Sequence, residues 1–331
     1  MPDTLRPPPP LDPARARYKD WLHLNVFDHA GGSVGLFNGS LHGAPEDARS
    51  RVIGTALVHH PALGWLGNTE VAGFDTGVVT ARGIALAQVA VALAPSGGTV
   101  HAAATFAGDG VVASLAATPR SAPLDVDLPL PFGEGWISWR VVPSLALEGR
   151  LSLGGDPCDL GRATAYHDHN WGRWRWGDDV GWEWGAFASA GGGETIVVSR
   201  TTDREHSTRG PALVTIDRAG RRRAFAGSQA DVTCAGRFDG RLRRIPGVLA
   251  ALHGDRAHPS LPERVVVSAR DGFDALELTF TVRAAAQLVA AEPTRRGYSF
   301  IHELVGAWQA RRRGISGSYD SAGLGVFEWV S

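Results

Sequence analysis

Residues 84–118 read IALAQVAVALAPSGGTVHAAATFAGDGVVASLAAT, and this stretch decides the fold class. Its apolar runs at 84–94, 99–107 and 111–118 are separated by the turn sequences PSGG and GDG. Short apolar runs divided by turn residues are typical of consecutive antiparallel strands. The alanines of the first run would also suit a helix, but its apolar residues show no helical stripe. We therefore predict a meander of strands.

The same pattern of short, strand-like runs continues through the rest of the chain. In LELTFTVRA (276–284), apolar and polar residues alternate, which indicates a half-buried strand. ETIVVSRTT (194–202) and ALVTIDRAGRRRAFAG (212–227) also read as strands, the second bent at residues 218–220. Strands do not alternate with helical segments, so a parallel sheet is disfavoured and the chain is predicted to be all-β.

Two segments are harder to interpret. The apolar residues of SFIHELVGAWQARRRG (299–314) fit both a helical stripe and the alternation of a strand, so periodicity leaves both open. The proline-rich DVDLPLPFGEGW (125–136) predicts a loop or a partial domain boundary. The simplest organisation is two β-rich halves that meet between residues 120 and 165.

Composition excludes several classes of protein. The 331-residue chain has a net charge of −1, so no overall electrostatic attraction to nucleic acid is expected. Its two cysteines form neither a disulfide framework nor a cysteine-based zinc motif. No glycine-rich nucleotide-binding motif and no G-x-S-x-G elbow is present.

The N-terminus and the hydropathy pattern bear on location. Residues 1–17 are rich in proline and predict a disordered lead-in rather than a signal peptide. The longest weakly charged stretch, 83–106, is interrupted by PSGG and does not reach the ~20 apolar residues of a membrane helix. We expect a cytoplasmic protein without stable membrane insertion, and peripheral membrane contact stays open.

The segment AYHDHNWGRWRWGDDVGWEWGAF (165–187) concentrates tryptophans beside titratable groups. If 165–171 is a strand, Tyr166, Asp168 and Asn170 share one face, while His167, His169 and Trp171 share the other. GWEWGAF is predicted to pair with it as a hairpin, so that the two strands form one polar and aromatic surface. The residues predicted to bind a substrate there are Trp171, Trp174, Trp182, Trp184, His169 and Glu183.

This composition suits acid catalysis on a carbon–carbon double bond. A carboxyl group buried among aromatic rings has its pKa raised, because burial disfavours its charged form. A carboxylic acid that stays neutral can donate a proton, and π-rich indole faces attract the resulting cation. We predict that Asp168 is the donor and that Tyr166, Asn170 and His167 orient it or a water molecule.

Two other interpretations remain open at this point. Asp168, Asn170 and the histidines could form a purely structural buried network. Alternatively, His167 and His169 share a strand face and could bind a metal, although no glutamate follows at the spacing of cupin-like sites. The remote histidines offer no spacing that would identify a third ligand.

Several of these motifs resemble one known family. AYHDHNWGRW (165–174) followed by GWEWGAF (181–187) resembles the lipocalin-like carotenoid 1,2-hydratase (hydroxyneurosporene synthase) family, which includes AttH-type proteins. GISGSYDSAGLGVFEWV (314–330) is similar to its closing strand, and KDWLHLNVF (19–27) to its opening strand. The resemblance implies that 299–314 is a strand.

The resemblance also implies a fold and an activity. It implies two consecutive lipocalin-like antiparallel β-barrels, which we place at 18–160 and 161–331. The family's acid falls on Asp168, with Trp171 and Trp184 as walls, and no cofactor is implied. The leading hypothesis is therefore a hydro-lyase or cyclase acting on a hydrophobic isoprenoid or polyene-type molecule. A lipid or pigment carrier without catalysis, and a metal-dependent enzyme, are the alternatives.

Overall fold

The computed structural model describes residues 3–6, 15–44, 50–74, 78–95, 98–175, 180–245, 260–272, 274–291, 298–314 and 317–331. The chain divides into two compact units, Met1–Arg175 with Ala291–Gly297, and Trp176–Ala290 with Tyr298–Ser331. Within the described residues the regular structure is strand, apart from three short 3₁₀ turns. The predicted all-β class of two lipocalin-like barrel domains is confirmed.

The first unit is built on one thirteen-stranded sheet. Its strands are β1 (Tyr18–Asp28), β2 (Ser33–His42), β3 (Arg51–His60), β4 (Gly64–Gly73), β5 (Val79–Thr80), β6 (Gly83–Ala85), β7 (Val89–Leu93), β8 (Val100–Phe106), β9 (Val111–Pro119), β10 (Leu124–Phe132), β11 (Gly135–Leu153), β12 (Asp156–Pro157) and β13 (Ala163–Arg173). The main path runs β4-β3-β2-β1-β13-β11-β9-β8-β7-β6-β5, with β10 and β12 paired to the long β11.

The first sheet curls into a nearly closed barrel around an apolar core. Alternate residues of its strands point inward, among them Leu22, Leu24 and Val58, which are essentially inaccessible to solvent. Gly54 of β3 lies against Val89 of β7, and a Cβ atom at Gly54 would lie 2.1 Å from Val89 Cγ1. A side chain at this position would therefore force Val89 to move.

The second unit is built on a ten-stranded sheet. Its strands are β14 (Gly181–Ser189), β15 (Glu194–Thr202), β16 (Leu213–Arg218), β17 (Arg221–Ala226), β18 (Ala230–Ala235), β19 (Leu242–Ile245), β20 (Arg264–Asp271), β21 (Asp274–Ala291), β22 (Tyr298–Gly314) and β23 (Gly317–Val330). The order is β17-β16-β15-β14-β23-β22-β21-β20-β18, and β19 pairs in parallel with β21.

The second sheet forms a half-barrel with its own aromatic core. Phe187 and Phe280 lie 5.2 Å apart between ring centroids and pack with Trp308. The Trp308 indole N–H lies within hydrogen-bonding distance of the carbonyl oxygens of Ala188 and Leu324, at 3.1 and 3.0 Å. The buried indole N–H therefore has hydrogen-bond acceptors, as buried donors in proteins almost always do.

Most strands agree with the sequence, and some segments differ. Residues 84–94 form two strands, β6 and β7, rather than one, and 299–314 lies within the strand β22. The expectation of a loop at 125–136 was wrong, because it contains most of β10 and the start of β11. Prolines are tolerated there because β10 lies off the main path and pairs with β11 alone.

The domain boundaries predicted from the sequence also differ from those in the structure. The sequence boundary at 160/161 separates 163–173 from the first half, whereas β13 is hydrogen-bonded between β1 and β11 of the first sheet. Residues 3–6, assigned to the lead-in, lie against the first unit, with Leu5 buried and its N–H bound to Ala81 O. No helix in the described ranges has the length and hydropathy needed to cross a membrane.

Candidate active site

The strand β13 presents two chemically distinct faces. Directly paired residues of antiparallel strands share a face, and Leu24 and Leu22 of the barrel core pair with His167 and His169. These two histidines therefore face the barrel interior. Asp168 pairs with His23 on the opposite face, which is turned away from the core. The alternation expected from the sequence is thus the alternation observed.

Asp168 is a buried carboxyl group held by its two neighbours on the same face. Its Oδ2 accepts a hydrogen bond of 2.8 Å from the Tyr166 hydroxyl, and its Oδ1 accepts one of 2.8 Å from the Asn170 amide. Burial raises the pKa of Asp168, and the hydrogen bond from Tyr166 partly opposes this, which leaves the pKa at about 6. The pKa of Asp168 therefore lies close to neutral pH.

A row of paired polar residues extends from Asp168 across the sheet. His23 pairs with Asp168 on one side and with Asn38 on the other, and Asn38 pairs with Thr55. Burial, and then the charge of His167, lower the pKa of His23 to about 3. The residue beside the acid is consequently a neutral imidazole at physiological pH.

The indoles on this face differ from those that the sequence indicated. Asn170 pairs with Trp21 on one side and with Trp139 on the other, so both share the face of Asp168. Trp21 packs edge-on against His23 with 4.6 Å between the ring centroids. Sequence reasoning did not assign Trp21, His23 or Trp139 to the site, although W-x-H spacing on β1 was the available signal.

The predicted contributions of His167, His169 and Trp171 need correction. All three lie on the inner face of β13 because their partners point into the barrel. His167 Nδ1 is 2.6 Å from His23 O, a backbone contact, and Trp171 packs beside His169 with centroids 4.9 Å apart. These positions do not let the three side chains contact a substrate on the Asp168 face.

His169 instead belongs to an ion cluster inside the first barrel. Its Nδ1 and Nε2 each lie 2.7 Å from a carboxylate, Asp3 Oδ1 and Asp20 Oδ1 respectively. Burial alone lowers the pKa of His169, but Asp20 and Asp3 outweigh it and raise the pKa to about 9. The ring is therefore a buried imidazolium, and both ring N–H groups donate.

The N-terminal segment completes this cluster. Asp3 Oδ2 also lies 3.7 Å from the Arg140 guanidinium, and the Arg6 guanidinium stacks 3.9 Å above the Trp171 ring. The Arg6 backbone N–H donates to Asp20 Oδ2 at 2.5 Å. The cluster thus ties residues 3–6 to β1, β11 and β13.

The remaining predicted residues are not on the strand β13. The expected hairpin was wrong: β14, which carries Trp182, Glu183 and Trp184, pairs with β15 and β23 of the second sheet. Glu183 is buried there, 2.6 Å from the Arg200 guanidinium and 3.0 Å from His206 Nδ1. Glu183 therefore belongs to a buried ion pair, and its contact with a substrate stays a prediction. A role for the two tryptophans stays a prediction.

Trp174 lies at the end of β13 in the first unit. It is buried, and its ring meets Phe132 edge-on at 5.6 Å between centroids. Its carbonyl oxygen accepts a 2.6 Å hydrogen bond from the buried ammonium of Lys19. Trp174 therefore anchors the chain's only lysine, and contact with a substrate stays a prediction.

The positions of the ring nitrogens do not favour His167 and His169 as metal ligands. Both nitrogens of His169 are engaged by carboxylates, and His167 uses Nδ1 for a backbone contact. Across the ranges that the structure describes, no three His, Cys, Asp or Glu side chains converge as metal ligands. His169 is better explained by the ion cluster, and His167 by its backbone contact.

Three solved structures share this fold over nearly the whole chain. A Nitrosomonas europaea protein assigned to AttH has a TM-score of 0.67 at 16% identity, covering 98% of this chain and 99% of that one. Kievitone hydratase from Nectria haematococca has 0.62 at 12% identity, covering 96% and 90%. CghA has 0.62 at 12% identity, covering 95% and 88%.

The likeness defines the class of fold, an all-β chain of two lipocalin-like barrel units. Identities this low show the fold alone. No family model matches the sequence, and no curated protein matches it either.

Proposed function

We propose that this protein is a cofactor-independent hydratase or cyclase that protonates a carbon–carbon double bond of a hydrophobic isoprenoid or polyene-type small molecule. One observation carries the proposal: Asp168 is buried, held in place by Tyr166 and Asn170, and has its pKa raised to about 6. General acid catalysis is most effective when the pKa of the donor lies near the working pH.

The proposed reaction balances with Asp168 as the only proton carrier. The carboxyl group gives its proton to one alkene carbon, and the π electrons form the new C–H bond, which leaves the other carbon cationic. In hydration, water attacks that carbon and the released proton returns to the Asp168 carboxylate. In cyclisation, a second double bond of the same molecule attacks instead, and loss of a C–H proton restores the acid.

The surroundings of Asp168 suit a cationic intermediate. Trp21 and Trp139 lie on its face and can place π density near the positive charge. His23, whose pKa of about 3 keeps it neutral, adds no opposing charge. The tyrosine hydroxyl and the asparagine amide that hold Asp168 stabilise the carboxylate that remains after proton transfer.

The structural neighbours support the proposal at a coarse level. One neighbour is a hydratase by name, and CghA has also been solved with the compound Sch210972. A fold of this kind therefore accommodates hydratase chemistry in one protein and a small molecule in another. Neither observation identifies the substrate of this chain.

The test is a direct assay of the purified protein on acyclic carotenoids and shorter terpenoids. We expect a product heavier by one water molecule, or a cyclic isomer of unchanged mass, detected by mass spectrometry and chromatography. Denatured protein is the control for spontaneous hydration. Tight binding of these compounds without any conversion would contradict catalysis and indicate a carrier.

A further inference from the structure

We infer that the buried face around Asp168 is built to bind a substrate that carries a hydrogen-bond-accepting oxygen, such as a ketone or a hydroxyl group, in addition to its double bond. The inference rests on the proposed function only in placing the double bond at Asp168. It concerns Asn25, Asn38 and Trp21, which the mechanism above does not use as hydrogen-bonding groups.

Asn25 and Asn38 are buried amides on this face. Asn25 pairs with Tyr166, and Asn38 pairs with His23, so both share the face of Asp168. Their exposed fractions are 0% and 3%. Neither the amide nitrogen nor the amide oxygen of either residue has a hydrogen-bond partner among the described residues.

Three polar groups near the two amides, those of Tyr166, Thr55 and Ser40, are already hydrogen-bonded to other partners. The Tyr166 hydroxyl donates to Asp168. Thr55, the cross-strand partner of Asn38, bonds with Thr69 at 3.2 Å, and Ser40 lies 3.1 Å from His42 Nε2. These contacts leave the two amides without a described neighbour to saturate them.

Trp21 adds a third buried donor. Its indole N–H has no hydrogen-bond partner within the described part of the chain, and the ring lies two residues along β1 from His23. Buried polar groups in proteins are almost always satisfied, so each exception calls for an explanation, and a bound ligand is one. Two amide NH₂ groups and one indole N–H are donors and the two amide oxygens are acceptors, so the matching ligand group is an oxygen that accepts hydrogen bonds and, in a hydroxyl group, also donates one.

The register also gives the approximate separation of the two amide residues from Asp168. Asn25 is a diagonal neighbour of Asp168 on the adjacent strand, which corresponds to about 7–8 Å. Asn38 is two strands away, or about 10 Å. The substrate should therefore carry its oxygen several carbon atoms from the double bond, rather than being a pure hydrocarbon.

The experiment compares two probes that differ in one group. Geranylacetone carries a ketone and isoprenoid double bonds, and its hydrocarbon analogue has a methylene group in place of the carbonyl. Binding is measured by calorimetry on Asp168→Asn protein, in which proton donation is abolished, so the result does not depend on turnover. We expect the ketone to bind at least about tenfold more tightly than the hydrocarbon.

The variants Asn25→Leu and Asn38→Leu should each reduce that preference about tenfold or abolish it. Their melting temperatures should stay unchanged or rise, since an apolar side chain of similar size replaces an unsatisfied amide. Asn68→Leu is the matched control: Asn68 bonds to Asp109 at 3.1 Å, so this change should lower stability and leave the preference intact.

Two results would overturn the inference. One is the absence of any preference for the ketone in the protein with both asparagines. The other is a loss of stability in both leucine variants with the preference unchanged, which would mean that the amides are structural and satisfied by water. A clear preference without conversion by the wild type would support the inference while contradicting the proposed catalysis.

Discussion

Replacing Asp168 by asparagine is expected to lower turnover roughly 10²- to 10⁴-fold, the usual contribution of a general acid. The amide has nearly the same shape as the carboxyl group but cannot supply the proton. Tyr166 and Asn170 stay in place beside it, so ligand affinity should be nearly unchanged. Steady-state rates and calorimetric binding on the same preparation separate the two effects.

The matched control for this variant is Asp28→Asn. Asp28 is another buried aspartate of the first sheet, where its Oδ1 accepts the backbone N–H groups of Ala30 and Gly31. Its replacement should reduce stability and leave turnover per folded molecule unchanged. Full activity of the Asp168→Asn protein would refute the assignment of the acid.

Replacing His169 by alanine is expected to lower the free energy of unfolding by about 3–5 kcal/mol. The change removes a buried imidazolium, which leaves Asp20 without that partner and Asp3 with Arg140 alone. Chemical denaturation followed by tryptophan fluorescence measures the loss. His101→Ala, an exposed histidine on β8, is the control and should change stability little.

The same ion cluster makes stability depend on pH in a defined direction. The folded-state pKa of His169 is raised from its ordinary 6.5 to about 9. Its contribution is therefore fully present below pH 6.5 and is lost as the pH rises through about 9. The stability difference between the wild type and the alanine variant should shrink over this interval. A difference that does not vary with pH would contradict a charged His169.

Local sequence patterns predicted most strands because the signals are local. Alternation at 276–284 and the turn at 218–220 report strands and hairpins directly. The prediction of a loop at 125–136 was wrong because it rested on the proline content of the segment. These residues pair with β11 at an edge position, where a strand tolerates proline. The domain boundary predicted at 160/161 differs from the structure because β13 pairs with β1, which lies about 150 residues earlier in the sequence.

In the candidate site too, contacts within one strand could be predicted from the sequence, whereas contacts between distant segments could not. The period of two placed Tyr166, Asp168 and Asn170 on one face, which the hydrogen bonds of Asp168 bear out. His23 and Asn38 join them only through pairing of strands distant in sequence. The ion partners of His169 likewise come from residues 3 and 20, and no local pattern around 165–187 could reveal them.

The most direct test is to titrate Asp168 itself. Infrared difference spectra between the wild type and the Asp168→Asn variant isolate the carbonyl stretch of this one protonated carboxyl group. We expect the band to be half lost at about pH 6, and to persist to higher pH in Tyr166→Phe, which lacks the hydroxyl that stabilises the carboxylate. A carboxyl group already ionised at about pH 4, the ordinary value, would contradict the account.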